Sequence, residues 1–192
     1  MKPIVCLITD RKRLFDPGPE AVLEQVRGAA ARGIQLVQIR ERDLDGRALY
    51  DLSRQAVEAV KGSATRVIVN DRLDVALAAR AHGVQLRSGS FSASRVRKMV
   101  PPGFLIGQSV HNVDEATTTR SVDFFIYGTV FETVSKPGVV PAGLERLSEV
   151  VKATAVPVLA VGGVCADRIP RVLETGAAGF AAISLFTEPS GS

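Results

Sequence analysis

Residues 123–163 hold one complete unit of the pattern that decides the fold. "DFFIYG" (123–128) is apolar and β-prone, "GLERLSEVVKAT" (143–154) has the apolar spacing of a helix, and "VPVLAVGG" (156–163) is again a run of mostly apolar residues. Apolar residues on consecutive positions predict strands buried on both faces, as in a parallel sheet covered by helices. A strand, a helix and a second strand in this order favour an α/β fold.

The same alternation continues through the rest of the chain. Six further strand-like runs are "IVCLIT" (4–9), "LVQIRE" (36–41), "RVIVND" (66–71), "GVQL" (83–86), "LIGQSV" (105–110) and "GFAAIS" (179–184). Helical spacing predicts helices over 19–33, 46–62 and 92–100, of which the first two end at Gly33 and Gly62.

Eight strands alternating with helices predict a (β/α)8 TIM barrel that forms a single domain over residues 1–192. An open doubly wound sheet is the alternative, but no Gly-rich dinucleotide fingerprint follows the first strand. The chain is short for a TIM barrel, which typically has about 250 residues. Only "LFTEPSGS" (185–192) follows the last strand, so we expect the eighth helix to be truncated or missing.

Composition narrows the class of ligand and the expected location. The formal net charge is +4 and the basic residues are scattered, which favours anionic small molecules and not nucleic acid. No apolar run approaches the roughly 20 residues of a membrane span, and the first residues lack a signal-peptide pattern. We therefore expect a cytoplasmic protein in which Cys6 and Cys165 are free thiols.

Polar residues follow most of the predicted strands, where ligands bind in such a barrel. They are Gln38, Arg40 and Arg42 after strand two, Asn70 and Asp71 after strand three, Gln85, Ser88 and Ser90 after strand four, Ser109 and His111 after strand five, and Thr129 after strand six. The arginines favour a bound phosphate or pyrophosphate, because guanidinium groups match those oxygens. Ion pairs of these arginines with Glu41, Asp43 or Asp71 are the structural alternative.

Two glycine-rich junctions lie at the end of the chain, in "LAVGGVCADRIP" (159–170) and "GAAGFAAIS" (176–184). In barrels that bind phosphorylated ligands, the loops after strands seven and eight commonly form a phosphate cup from backbone N–H groups. We expect Gly162, Gly163, Ile183 and Ser184 to supply it. The loop "YGTVFETVSKPG" (127–138) adds Thr133, Ser135, Lys136 and Gly138 at another strand-to-helix junction.

Five motifs, in order, resemble those of the thiamine phosphate synthase superfamily. They are "VQIRER" (37–42), "VIVNDRLDVAL" (67–77), "GQSVHNVDEA" (107–116), "YGTVFETVSKPG" (127–138) and "VLAVGGV" (158–164). The superfamily includes synthases, which join a pyrimidine diphosphate to a thiazole phosphate and release pyrophosphate. It also includes TenI-type thiazole tautomerases, which aromatise carboxythiazole phosphate by a 1,3-proton shift.

The stretch "GVQLRSGS" (83–90) departs from the synthase pattern "GVHLGQED". Gln85 replaces the histidine, and Ser90 replaces an aspartate that helps to hold magnesium in synthases. Asp71 remains as a weak magnesium ligand, since one carboxylate makes a poor Mg²⁺ site. This departure and "VFET" (130–133) favour the tautomerase, for which we expect no cofactor. Mg²⁺ is expected only for a synthase.

Thr129 departs from the tautomerase pattern "GHVFET", in which a histidine is the acid/base group. A threonine hydroxyl is a much weaker base. His111 is the surviving candidate, with a structural role in its loop as the alternative. The other histidine, His82, precedes strand four and is expected to be a helix-end residue. Asp71 and Glu132 are the carboxylate alternatives for the base.

The resemblance also implies the ligand contacts. Thr133 and Ser135 are expected near the thiazole, Lys136 near an anionic group, and Gly163 with Ser184 at the phosphate. The other expected substrate-binding residues are Gln38, Arg40, Arg42, Asn70, Ser109, Gly162 and Ile183. The ligand is a phosphorylated thiazole or thiamine phosphate, and a homo-oligomer is possible. The tautomerase is the first expectation; a synthase and a non-catalytic regulator that binds thiazole or thiamine phosphate are the alternatives.

Overall fold

The chain folds into a closed barrel of eight parallel strands in a computed structural model that describes residues 2–134 and 138–186. Each strand pairs with the next along the chain, and β8 closes the barrel against β1. The strands are β1 Ile4–Ile8, β2 Leu36–Ile39, β3 Arg66–Asn70, β4 Gly83–Leu86, β5 Leu105–Val110, β6 Phe124–Tyr127, β7 Val158–Val161 and β8 Gly179–Ala182. The predicted TIM barrel is confirmed.

Helices follow the first seven strands. They are α1 Pro19–Ala31, α2 Gly46–Ala59, α3 Leu73–Ala78, α4 Ala93–Arg97, α5 Val113–Thr118, α6 Gly143–Ala153 and α7 Ile169–Glu174. In the described part after β8 there is one 3-10 turn, Ser184–Phe186, in agreement with a truncated or missing eighth helix.

Several predicted boundaries are too wide. The helix predicted over 92–100 is the short α4, and the strand predicted over 156–163 is confined to Val158–Val161. Helix α1 ends at Ala31, and Gly33 takes a positive φ of 68° shortly after it. This left-handed turn is the usual glycine stop of a helix, as the sequence predicts. At the start of α2, the Asp45 carboxylate caps the helix by accepting from the Ala48 N–H at 2.8 Å.

The strands are buried on both faces because successive side chains point in opposite directions. One set packs together in the barrel interior and comprises Cys6, Ile8, Leu36, Ile68, Phe124, Ile126, Leu159 and Ala181. The neighbouring positions, such as Val37 and Phe125, pack in the clusters that contain the helices. This double burial explains why the strands read as consecutive apolar residues.

Residues outside the barrel mouth can also be compared with the sequence, and His82, expected at a helix end, lies in the loop between α3 and β4. Cys6 is buried and Cys165 is exposed, and both are free thiols. His82 accepts the Val67 N–H on Nδ1 at 3.0 Å, so its ring links β3 to the start of β4. No helix within the described ranges is long and apolar enough to cross a membrane.

Candidate functional site

A pocket of about 280 Å³ opens at the C-terminal ends of the barrel strands. It brings together most of the residues predicted from sequence, which reach it from the ends of β2 to β8. Its lining residues are Ile8, Gln38, Arg40, Arg42, Asn70, Gln85, Arg87, Ser88, Ser109, His111, Ile126, Thr129, Thr133, Val161, Gly162 and Ile183. Ser135 and Lys136 lie outside the described residues.

Two buried glutamine side chains contribute amide groups to the pocket. The Gln38 amide donates to Asn70 Oδ1 at 2.9 Å, and the Gln85 amide donates to Ser109 Oγ at 3.1 Å. The Oε1 atom of each glutamine is buried and has no hydrogen-bond partner among the described residues. A buried acceptor without a partner costs about 1–3 kcal/mol. Because both oxygens are buried, they add this cost to the wall of the pocket without being exposed to it.

Gln85 fits in the barrel interior because β5 has glycine beside it. A Cβ atom on Gly107 would lie 2.1 Å from Gln85 Oε1 and 2.4 Å from the Phe124 ring. No side chain larger than hydrogen fits there without displacing the amide. The Gln85 side chain can therefore occupy this position only because residue 107 on the neighbouring strand is glycine.

Arg40 and Arg42 are adjacent cations just beyond the end of β2. The Arg40 N–H donates to Thr9 Oγ1 at 3.0 Å, which fixes the backbone at this point. Burial lowers the pKa of the Arg40 guanidinium, and the charge of Arg42 lowers it further. Neither arginine forms an ion pair within the described part of the chain. Asp10 and Glu41 offset part of the pKa shift of Arg40 through their charges, but two guanidinium groups without a contact ion pair still favour an anionic ligand.

The carboxylates that could have neutralised these arginines bind other groups. Both oxygens of Glu41 accept the Arg11 N–H at 3.2 Å. Asp43 pairs with Arg11 Nη2 at 2.6 Å and with Lys12 at 3.2 Å. The third carboxylate, Asp71, pairs with Arg87. The structural alternative for Arg40 and Arg42 is therefore wrong.

Arg87 is the main site residue that the sequence did not reveal. It follows β4 directly, and its Nε donates to Asp71 Oδ2 at 2.5 Å. Its two Nη groups have no partner among the described residues, and the side chain lines the pocket. The pairing of β3 with β4 explains this contact. Asn70 lies opposite Gln85, so Asp71 and Arg87 both follow the paired ends of these two strands.

Asp71 does not fit the role of a magnesium ligand. Its Oδ1 accepts from Ser90 Oγ at 2.5 Å, while its Oδ2 is paired with the cationic Arg87. Mg²⁺ needs oxygen ligands that are free to coordinate it, and the guanidinium charge repels a cation. Residues 2–134 and 138–186 contain no group of three or more His, Cys, Asp or Glu that could hold a metal ion. The residues present therefore disagree with a carboxylate-held Mg²⁺ at this point.

His111 projects into the pocket from the end of β5. Its Nδ1 lies 3.0 Å from the Gly128 carbonyl oxygen. A carbonyl only accepts, so this contact places a proton on Nδ1 and leaves the lone pair of neutral His111 on Nε2. The imidazole can thus act as a base while it also links the ends of β5 and β6. The alternative of a structural role is compatible with the same hydrogen bond.

Thr129 is buried in the wall of the pocket and has only 6% of its surface exposed. Its carbonyl accepts the Ala142 N–H at 2.8 Å, which joins the start of the loop after β6 to its end. Thr133 also lines the pocket. Glu132, the alternative base, does not line it and borders a separate surface cavity.

The glycine pair after β7 packs tightly against the loop after β6. Gly162 has a φ of 98°, and a Cβ atom there would lie 2.5 Å from Thr129 Cγ2. A Cβ atom on Gly163 would lie 2.3 Å from the Glu132 carbonyl oxygen. Gly162 and Ile183 line the pocket, whereas Gly163 and Ser184 are adjacent to its lining in sequence. The phosphate cup stays a prediction, with two of its four members in the wall.

Two sequence relatives and one solved structure, each more than 30% identical to this chain, have names from one activity. The family model described as "Thiamine monophosphate synthase" matches residues 5–186. "Putative thiamine-phosphate synthase 2" of Aquifex aeolicus is 36% identical over 188 residues, covering 97% of this chain and 98% of its own. "Thiamine-phosphate synthase" of Coprothermobacter proteolyticus is 37% identical, covering 84% and 77%. The solved thiamine phosphate pyrophosphorylase from Pyrococcus furiosus has a TM-score of 0.80 at 32% identity, covering 94% of this chain and 85% of its own.

Proposed function

This chain belongs to the thiamine monophosphate synthase family, and we propose that it joins a pyrimidine diphosphate to a thiazole phosphate with release of pyrophosphate. The sequence motifs alone favoured the tautomerase and kept the synthase as an alternative. The names of the relatives reported above support the synthase better than the tautomerase. The tautomerase therefore becomes the second candidate.

The observation that carries this proposal is that one pocket has two different edges, one lined by guanidinium groups and one lined by a glycine turn. Arg40, Arg42 and Arg87 line the side formed by β2 and β4, whereas Gly162 and Ile183 line the side formed by β7 and β8. These strand groups lie across a closed eight-stranded barrel from one another. A diphosphate matches the cationic edge, and a monophosphate matches the backbone N–H groups of the glycine edge.

The charge of the pocket supports the same assignment. Its lining contains three guanidinium groups, and no Asp or Glu side chain among the described residues contributes to it. The tautomerase substrate, carboxythiazole phosphate, brings one phosphate and one carboxylate, which is less negative charge than a diphosphate and a monophosphate bring together. A diphosphate together with a monophosphate uses both edges. The side chains of Gln38 and Gln85 line the same pocket.

The proposed reaction is a substitution in which charge builds up on the leaving group. A bond from the thiazole to the pyrimidine-bearing carbon forms as the bond from that carbon to the diphosphate oxygen breaks. Pyrophosphate leaves with the electron pair. Guanidinium groups already in place beside the diphosphate stabilise this charge without reorganisation. Holding both substrates in one pocket also makes the reaction effectively intramolecular.

Incubation of the purified protein with both substrates tests the proposal. We expect thiamine phosphate by mass spectrometry, together with an equal amount of pyrophosphate. Arg40→Gln should lower kcat/KM by about 10²–10³, the usual loss for one group that stabilises developing charge. Arg47→Gln is the matched control, because Arg47 is exposed on α2 and pairs only with Asp51. Absence of thiamine phosphate, with and without Mg²⁺, would contradict the proposal.

The tautomerase is favoured by one specific observation, the orientation of His111. Its Nε2 is left as an acceptor beside the pocket when Nδ1 donates to Gly128. In this candidate function, NMR of carboxythiazole phosphate shows interconversion of its tautomers, and His111→Ala lowers the rate by about 10²–10⁴. Tight binding of thiazole phosphate without turnover in either assay would instead favour the non-catalytic regulator.

A further inference from the structure

We propose that Arg87 takes the place of a divalent cation in this chain, so that the pyrophosphate group is held by Arg40, Arg42 and Arg87 without Mg²⁺. The inference rests on the proposed function for the identity of the ligand. It goes beyond that function because the positive charge that neutralises the diphosphate comes from arginine side chains of the protein. It starts from the observation that both oxygens of Asp71 are occupied by Arg87 and Ser90 and are not free to bind Mg²⁺.

The geometry around Asp71 is that of an arginine support. Its side chain is only 14% exposed, and it receives the Arg87 Nε at 2.5 Å and the Ser90 hydroxyl at 2.5 Å. The Arg87 backbone N–H adds a longer contact at 3.4 Å. One carboxylate thus orients the guanidinium through Nε and leaves both Nη groups, with their N–H donors, available to a ligand.

The positions of these three arginines suit a ligand that spans two pockets. Arg42 and Arg87 line both the barrel-mouth pocket and an adjoining cavity of about 250 Å³. Arg40 lines the barrel-mouth pocket on the other side of Arg42. A pyrophosphate beside these residues meets guanidinium groups from β2 and β4. Since bidentate contacts to phosphate are charge-assisted, they are among the strong hydrogen bonds of proteins.

The replacement also accounts for Ser90. A carboxylate at position 90 would lie against Asp71 Oδ1, where two negative charges repel each other unless a cation or a shared proton lies between them. Serine donates a hydrogen bond to the same oxygen instead. Arg87 and Ser90 therefore act together: the first brings the positive charge, and the second removes the negative charge that would otherwise call for a metal ion.

Isothermal titration with inorganic pyrophosphate tests the inference without any turnover. The wild-type protein should bind pyrophosphate in EDTA, with an affinity within about threefold of that for Mg²⁺-saturated pyrophosphate, since a threefold change is well under 1 kcal/mol. Arg87→Gln should weaken metal-free binding about 10- to 100-fold, the value of a lost charge-assisted hydrogen bond. Arg47→Gln serves again as the control, and thermal unfolding verifies that each variant is folded.

The double variant Arg87→Gln with Ser90→Asp is the reciprocal test. It places an aspartate beside Asp71 and removes the guanidinium, so Mg²⁺ should raise its pyrophosphate affinity at least about tenfold. The inference is overturned if the wild-type protein binds pyrophosphate only with Mg²⁺, or if Arg87→Gln binds it in EDTA as well as the wild type does. Failure of the synthase assay with metal-free pyrophosphate binding intact would refute the proposed function and leave this inference standing.

Discussion

Gly162→Ala tests whether close backbone packing forms the glycine edge of the pocket. Two separate costs follow from the structure at this position. The φ of 98° is unfavourable for any residue with a Cβ, and that Cβ would lie 2.5 Å from Thr129 Cγ2 and 2.9 Å from Thr129 Cα. Because Thr129 is held in the pocket wall, the substitution must displace either the β7 loop or the start of the β6 loop.

The expected loss of stability is the sum of the two costs. A left-handed backbone costs an L-residue about 1–2 kcal/mol, and overpacking of a close contact costs about 1–3 kcal/mol. Gly162→Ala should therefore lower the free energy of unfolding by about 2–5 kcal/mol. Gly33→Ala is the matched control. Gly33 has a φ of 68° and no atom within 4 Å of the added Cβ, so it should lose only the backbone contribution.

Urea denaturation of both variants measures the free energy of unfolding. Titration with thiazole phosphate measures the affinity for the ligand. Gly162→Ala should weaken thiazole phosphate binding, whereas Gly33→Ala should leave it unchanged. Adding Thr129→Ser removes the Cγ2 methyl and should restore part of the stability of Gly162→Ala. Equal losses for Gly162→Ala and Gly33→Ala, with ligand binding intact in both, would refute the packing argument.

Two further predictions concern groups outside the pocket. Burial, aided by the charge of Arg66, lowers the pKa of His82 below its ordinary 6.5, so the unfolded chain takes up this proton first as the pH falls. The His82 contribution to stability is therefore complete above about pH 6.5 and declines below it, and His82→Asn should lose this decline in urea titrations from about pH 8 to about pH 5. Burial raises the pKa of the Cys6 thiol to about 12, so a thiol reagent should label the exposed Cys165 in the native protein and Cys6 only after denaturation. Native labelling of Cys6 at the same rate would contradict its burial.

The fold was predictable from sequence because burial on both faces leaves a simple pattern. The residues of β2 and β8 are buried throughout, so these strands appear as short runs that are apolar except for Gln38. The ends of elements were less predictable. The strand predicted over 156–163 included Gly162 and Gly163, which form the turn after β7. Their role there depends on contacts with the β6 loop, which no local pattern records.

The site was predictable where it depends on strand ends and was missed where it depends on neighbouring strands. Gln38, Ser109 and His111 follow from their positions on their own strands. Arg87 does not, because its importance comes from Asp71 on the adjacent strand. From its own strand, Asp71 is expected as a weak magnesium ligand of a synthase, as an ion-pair partner of the arginines after β2, or as an alternative base, whereas its partner in the structure is Arg87. Comparing the residues at the ends of neighbouring strands predicts this contact, whereas comparing motifs one after another along the chain does not.

The number of cationic groups in the pocket distinguishes a synthase from a tautomerase or a non-catalytic regulator better than any single residue does. His111 could act as the base of a tautomerase, and its hydrogen bond to Gly128 also suits a structural role, so its presence decides little. Arg40, Arg42 and Arg87 are more informative, because a diphosphate offers three guanidinium groups more negative charge than the single carboxylate that a carboxythiazole phosphate has besides its phosphate. If the diphosphate occupies that side, pyrophosphate must compete with the pyrimidine diphosphate and leave thiazole phosphate binding unaffected. A regulator or a tautomerase that places its single phosphate among the arginines would instead show pyrophosphate and thiazole phosphate competing for the same site.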